Sequence, residues 1–523
     1  MTRSRGVIAA GALAVAAGVL AVVLLVSGGE RPPATGAARL VPAGALVYVH
    51  VSTDRERGAV RRADDLLRRF PNATSARDAL TSRLTSIGPG LSYRHDVRPW
   101  VGPEAALALL DTAGSTATPL VVIAVADRAR AEAFLGRAAR PPTASAYQGV
   151  RVMTFGGLAT AFLGRYLVVG PPAGVRAAID VQAGQIPPLA RTVDFRRATA
   201  VLPADRAVDA YLPAAGVTRL LAAQRSVLGA AGALLSQPGL VASGLSLSAE
   251  SDGVRLRVHS LIDRRAAGPS RFVPFEPRLV DAVPGDALAY LGLAGINRSA
   301  GRLLPALAGR AAPAVAALLA RAAGNARSAG LDLERDVLPV FRGESALWLK
   351  ASSPAPVLTL IAATRDERAT RQALARLQGP LLAAFAPPPG GPGQARVFEQ
   401  KTVAGAPAFR LQLGPGVELD YAVFDRKVVI STSLEGIRDV RRSSSPLADT
   451  GPFQATLADR PDRVTSLVFL DFARLLALGE RSALARTPAY QAIRGDLRQV
   501  RAVGAASSGG RGDSTTEVFV ALR

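Results

Sequence analysis

The chain contains no cysteine, which removes disulfides, thiolate metal sites, iron–sulfur clusters, cysteine nucleophiles and the lipidated cysteine of a bacterial lipoprotein. Histidine is nearly absent as well: His50, His95 and His259 are its only copies, a thin supply for metal binding or Ser-His catalysis. Of the 63 basic residues only Lys350, Lys401 and Lys427 are lysine, and none follows a glycine, so there is no P-loop. HExxH, GxSxG and SxxK are missing too. The glycine-rich stretch 387–393, PPPGGPG, has neither a preceding strand nor a following helix in the sequence pattern and reads as a linker.

What remains is apolar and basic. Over 523 residues, 49% are hydrophobic and 20% charged, which excludes wholesale disorder and supplies ample material for several packed domains. The net charge of +22 comes from arginines scattered singly or in pairs between apolar segments. No basic stripe interleaves with aromatics, so nucleic acid is not an expected partner. The charge suits an acidic envelope polymer or an anionic lipid, and an envelope protein is the other partner class expected.

Residues 7–26, VIAAGALAVAAGVLAVVLLV, carry no charge over twenty positions. That length spans a hydrocarbon core of about 30 Å as a helix and exceeds the usual apolar region of a cleaved signal peptide. Arg3 and Arg5 precede it. The expectation is an uncleaved signal anchor with residues 1–6 as a cytoplasmic stub, the chain crossing the cell membrane once and its bulk lying outside. Residues 27–39, SGGERPPATGAAR, have the composition of a linker.

The rest of the chain repeats itself. VPAGALVYV from Val41 matches VPGDALAYL from Val283, setting Pro42 on Pro284 and Tyr48 on Tyr290. DVRPWVGPEAALAL from Asp96 lies over DVLPVFRGESALWL from Asp336, setting Glu104 on Glu344. PLVVIAVADR at 119–128 matches PVLTLIAATR at 356–365, and FLGRYLVVG at 162–170 matches VFDRKVVIS at 423–431. LARTVDF from Leu189 then matches LADTGPF from Leu447, and Asp205-Arg206 matches Asp462-Arg463. Six blocks in one order predict two repeat domains, 40–263 and 282–523, joined by a connector over 264–281.

Within each half, short apolar strands such as Leu46–Val51, and a strand pair ending in the apolar run Ala161–Val169, alternate with amphipathic helices such as 128–139, and hairpins dominate, one of them turning at Ser251-Asp252-Gly253. The predicted class is α+β: a transmembrane helix, then two tandem homologous halves, each a largely antiparallel sheet flanked by helices. Apolar stripes over 217–235 and 302–322 predict core-facing helices; the wall of a lipid-holding groove is the alternative.

Glu104 and Glu344 are the strongest candidate pair, because the repeat could bring two carboxylates to a pseudo-twofold axis for acid/base work or cation binding. The competing reading is that each merely opens a strand after a turn glycine. His50 and His259 read as strand residues, and His95 as a surface imidazole without an assignable partner. Asp205-Arg206 and Asp462-Arg463 read as turn and cap chemistry. Asn72-Ala73-Thr74 and Arg511-Gly512-Asp513 are short patterns, the latter explained as a hairpin turn. No catalytic, cofactor or metal constellation is expected, and no cofactor.

On the blocks LVPAGALVYVHVS, RPWVGPEAALALL, PLVVIAVADRARAEAFL and GRYLVVGPPAGVRAAI the chain resembles the bacterial family known as domain of unknown function 3352. The resemblance implies a membrane-anchored envelope protein of high-GC bacteria and transfers no catalytic residues. The expected function is therefore non-enzymatic binding or scaffolding in the cell envelope; a carrier of a lipid or other apolar ligand is the alternative.

Overall fold

The computed structural model describes residues 32–54, 56–72, 93–111, 117–137, 142–221, 239–267, 273–296, 328, 338–353, 355–384, 397–414, 417–442, 444–481, 483–510 and 512–523. The apolar run 7–26, the stripe 302–322 and most of the stripe 217–235 lie outside these residues, as do 387–393, Ala73, Thr74 and Arg511. The chain is α+β, built on antiparallel strands with helices packed against them. It divides into two compact units: Met1–Ala267 with Gln491–Gln499 and Arg511–Glu517, and Gly268–Tyr490 with Val500–Gly510 and Val518–Arg523.

In the first unit the order is β1 (Ala45–Ser52), α1 (Gly58–Leu67), β2 (Val101–Leu110), β3 (Thr118–Val125) and α2 (Arg128–Gly136). Two hairpins follow, β4 (Thr143–Tyr147) with β5 (Val150–Phe155) and β6 (Leu158–Leu163) with β7 (Tyr166–Gly170). Then come α3 (Pro172–Gln182), α4 (Val193–Ala200), β8 (Val208–Pro213), β9 (Leu240–Ala249) and β10 (Gly253–Ile262). Side by side the strands run β4-β5-β6-β7-β3-β2-β1-β8-β9-β10, every pairing antiparallel. The apolar run read as Ala161–Val169 is thus two strands, broken where Gly164 takes a positive φ of 58°. Gln148 and Gly149 turn the β4–β5 hairpin with φ of 49° and 76°, the left-handed pair that suits a tight right-twisted hairpin. Tyr48, Ala106, Ala108, Leu120, Val122 and Val168 face the unit's core, onto which α3 lays Val175, Ala178 and Ile179. Proline at the first position of α3 and the Asp127 carboxylate capping α2 through Arg130 N–H at 3.0 Å mark where those helices begin.

Gly36–Arg39, inside the stretch read as a linker, form one helical turn with Ala37 and Ala38 fully buried. Composition reads as flexible there because it cannot show that a distant carboxylate caps the turn.

The second unit contains β11 (Ala289–Ala294), β12 (Glu344–Lys350), β13 (Val357–Ala363), α5 (Glu367–Ala384), β14 (Phe398–Val403), β15 (Ala406–Gly414), β16 (Val417–Phe424) and β17 (Lys427–Ser431). These are followed by α6 (Leu434–Arg442), α7 (Gly451–Leu457), β18 (Ser466–Leu470), α8 (Phe472–Gly479) and β19 (Val500–Gly509), and the chain closes with β20 (Asp513–Leu522). The strand order is β14-β15-β16-β17-β13-β12-β11-β18-β19, again antiparallel throughout. Tyr290, Trp348, Ile361, Phe453 and Phe469 form its core, and Phe275, from the stretch read as connector, packs into it through paired backbone bonds with Val464 of 2.8 and 2.9 Å. The β16–β17 turn places two non-glycine residues, Asp425 and Arg426, at positive φ. The Arg441 guanidinium on the Asp425 carboxylate, and the Arg426 N–H donated to Glu367 at 2.8 Å, hold a conformation that these residues disfavour.

Candidate functional site

The densest buried charge in the first unit gathers around Glu104. Strand register decides its members. Residues of β1 alternate between faces, so Tyr48 and His50 point the same way; His50 lies opposite Asp209 on β8, and Ser52 opposite Glu104 on β2. His50 Nδ1 is 3.0 Å from Asp209 Oδ1, and His50 Nε2 is 3.6 Å from Glu104 Oε2. Asp209 Oδ1 also accepts from Arg206 Nε at 2.9 Å. On the other side, the Glu104 carboxylate accepts the Tyr166 hydroxyl at 2.6 Å and the Gly36 and Ala37 N–H groups at 3.1 Å each. Arg165, at the outer end, donates to the Tyr166 oxygen at 3.2 Å.

The result is a chain Arg206–Asp209–His50–Glu104–Tyr166–Arg165 whose middle is closed: His50 and Glu104 are 0% exposed. Arg57, also buried, donates to the carbonyls of Arg206 and Ala204 at 3.0 and 2.6 Å and so fixes the turn that delivers Arg206. Burial pulls the Arg57 guanidinium down from its ordinary value, with Arg206 adding to the effect. Burial pushes the Asp209 carboxyl up, but His50 and Arg206 outweigh it and hold the group below the ordinary carboxylate range. The Tyr48 hydroxyl, buried without a hydrogen-bond partner, is raised by burial first and by the Asp209 and Glu104 charges next. Burial and the hydrogen bond to Glu104 likewise raise Tyr166. Gly36 is required here, since a Cβ on it would sit 2.1 Å from the Tyr166 oxygen. An acid/base relay has the right groups in the right order, yet His50 Nε2 makes no hydrogen bond to Glu104 and the imidazole is fully buried.

Glu344 caps the second unit in the same manner, accepting Arg278 N–H at 3.1 Å and Leu279 N–H at 2.9 Å. Burial raises its carboxyl. The ionic chain stops there. Gly292 occupies the place that follows Tyr290 as His50 follows Tyr48, and the residue opposite it is Leu467, where His50 has Asp209. The Tyr290 hydroxyl fills the space, 2.6 Å from where a Gly292 Cβ would stand.

The other sequence candidates are dispersed. His259 on β10 meets Thr515 Oγ1 at 3.1 Å, and burial lowers its pKa. His95 is exposed on the turn Tyr93–Val97. Asn72 donates its side-chain amide to the Ala492 carbonyl at 2.6 Å. Asp205-Arg206 does more than cap a turn, because Arg206 reaches Asp209; Arg463 instead donates to the Pro274 carbonyl at 3.3 Å. Among the described residues no group of three or more His, Asp or Glu is arranged to hold a metal ion.

A model of the family described as Protein of unknown function (DUF3352) matches residues 7–523. The chain belongs to that family. No curated protein matches this DUF3352 member. Among solved structures it is similar to crystal form I of TP0453, at 12% identity over 44% of this chain and 80% of that one with a TM-score of 0.27. Form III gives 13% identity over 44% and 81% with a TM-score of 0.26, and form IV 15% over 43% and 83% with 0.25. At such TM-scores the likeness carries no argument. Asp209, Arg206 and Tyr166 were not legible as site residues: they lie 159, 156 and 116 positions from His50 in the sequence, and only register brings them to it.

Proposed function

We propose that this DUF3352 member is a membrane-anchored extracytoplasmic protein with a non-enzymatic binding or scaffold role in the cell envelope. The observation that carries the non-enzymatic part is the closure of the His50 chain. The groups best suited to acid/base work are the ones most completely removed from solvent, with His50 and Glu104 at 0% exposure. The anchor reading draws on the uncharged run 7–26 behind Arg3 and Arg5; among the described residues no helix is long and apolar enough to cross a membrane. The lipid-carrier alternative draws on stripes that fall almost wholly outside the described residues and is not carried further.

Topology is the direct test. A C-terminal reporter that is active only after export is expected to be active, and protease added to intact spheroplasts to digest the chain. An inactive reporter with a protected chain would place the bulk in the cytoplasm and overturn the proposal.

The two units are, on the same footing, proposed to be copies of one ancestral unit. Supporting this are isolated bridges Pro42↔Pro188 and Pro284↔Pro446, the twin carboxylate caps of Glu104 and Glu344, and Asp127 and Asp366 each accepting a helix N–H three residues on. Register refines one block. Val122 lies opposite Ala106 and Ile361 opposite Ala346, so the equivalent of Val122 is Ile361, two places beyond Thr359, the residue that matching PLVVIAVADR to PVLTLIAATR assigns to it.

A further inference from the structure

The second unit carries a polar cleft of about 570 Å³, within the size range of small-molecule sites. Its floor is rigid. Pro284 bridges Pro446, and Gly285 N–H donates to the Ser445 carbonyl at 2.9 Å. One wall is Lys350 at the end of β12, whose ammonium lies 2.9 Å from Asp439, 3.0 Å from Glu435 and 3.4 Å from Asp286. Three carboxylates on one ammonium hold its pKa well above the ordinary lysine value despite burial, and they outnumber the charge they surround.

Besides Lys350, Asp286 and Asp439, the charged side chains lining the cleft are arginines: Arg438, Arg442 and Arg474. Arg438 and Arg442 stand one turn apart on the exposed face of α6, with the Glu435 carboxylate one turn before Arg438 feeling that guanidinium's charge. Arg474, 3.4 Å from Asp471, closes a further side, and Ser444 and Ser445 contribute hydroxyls. The matching positions of the first unit carry different residues. Leu110 ends β2 where Lys350 ends β12, and Ile186-Pro187 precede the Pro188 bridge where Ser444-Ser445 precede Pro446.

We infer that this cleft binds the phosphoryl group of a small phosphomonoester or phosphodiester ligand, held between Arg438 and Arg442. Two planar guanidinium forks, each offering parallel N–H donors, suit a tetrahedral phosphoryl group, whose oxygens diverge out of one plane toward both forks, whereas a carboxylate presents its two oxygens in a single plane. The inference is independent of the anchor: it requires only that the second unit be folded.

The test uses the full chain in neutral detergent micelles at physiological salt, titrated calorimetrically with inorganic phosphate and, separately, with glycerophosphoglycerol, the headgroup of an anionic phospholipid. One saturable site is expected, weakened at least tenfold in an Arg438→Gln/Arg442→Gln variant and unchanged in Arg368→Gln, which removes an exposed arginine from α5. Binding of phosphate alone supports a free phosphate or monoester as the source; binding of the headgroup as well extends the support to a phosphodiester such as a lipid headgroup. Circular dichroism of the double variant should match the parent, since both positions are exposed. No saturable heat with either probe, or equal weakening in the Arg368→Gln control, would overturn the inference by showing either no site or only bulk charge.

Discussion

Replacing Asp209 with leucine is expected to lower the stability of the first unit by about 3–5 kcal/mol, because it leaves two buried donors, His50 Nδ1 and Arg206 Nε, without their acceptor. For a unit of this size that is a fall of roughly 10 °C in unfolding midpoint. The cost arises from orphaned charge and not from the shape of leucine, since the second unit accommodates Leu467 opposite Gly292 at the matching crossing. A His50→Gly/Asp209→Leu double variant, which copies that arrangement, should therefore lose less than the sum of its single variants by more than about 1 kcal/mol. Additive losses would mean that the His50–Asp209 pair is not energetically coupled. The pH dependence has a definite sign. With its carboxyl held low in the folded chain, Asp209 stabilises above the unfolded carboxylate pKa, and that contribution is lost as pH falls through the lower folded value.

Asp420 should behave in the opposite way. It is fully buried on β16, neither of its oxygens has a hydrogen-bond partner among the described residues, and its ion pair to Arg410 Nε is long at 3.4 Å. Burial pushes its carboxyl up to about 7, with Arg410 pulling it down and Glu418 pushing it further up. A carboxyl whose folded pKa lies above its unfolded value binds a proton in the folded chain that the unfolded chain has released. Stability is therefore greatest below about pH 4 and declines as pH rises to about 7, where the destabilisation is complete. Asp420→Asn is expected to raise stability by about 2 kcal/mol at pH 8, to change little at pH 4, and to flatten the slope between. Equal effects at both pH values would show that the group is not titrating in that window. Register sets Arg410, Asp420 and Ser431 abreast on β15, β16 and β17, which places the carboxyl between a guanidinium and a hydroxyl.

The alternation of apolar residues made most strands legible. Leu46–Val51 was expected and Ala45–Ser52 is found, and the Ser251-Asp252-Gly253 turn separates β9 from β10. Helix 128–139 begins where Asp127 caps it and ends at Gly136. The hairpin at 161–169 was harder, since its turn, Gly164-Arg165, is too short to interrupt an apolar run. The site was legible in part. Glu104 and Glu344 stood out because the repeat matched them; Glu344 opens β12 after Gly343, as the plainer reading held, whereas Glu104 lies inside β2, which begins at Val101, and their capping of distant helical turns depends on contacts 67 and 65 residues apart. His50 was correctly a strand residue, but a strand pattern says which way a side chain points and not what stands opposite. The Arg438–Arg442 cleft left no mark at all, because in a sequence with so many scattered arginines two more at helical spacing do not stand out until the fold sets them beside Lys350 and Arg474.

The absence of cysteine makes one measurement especially clean, because a single introduced thiol is the only one that a maleimide can modify. In intact spheroplasts, a membrane-impermeant maleimide is expected to label an Arg368→Cys variant, exposed on α5, without permeabilisation, while an Ala108→Cys variant, fully buried on β2, reacts only after denaturation. Labelling of Arg368→Cys only after the membrane is broken would contradict the extracytoplasmic placement on which the proposed envelope role rests.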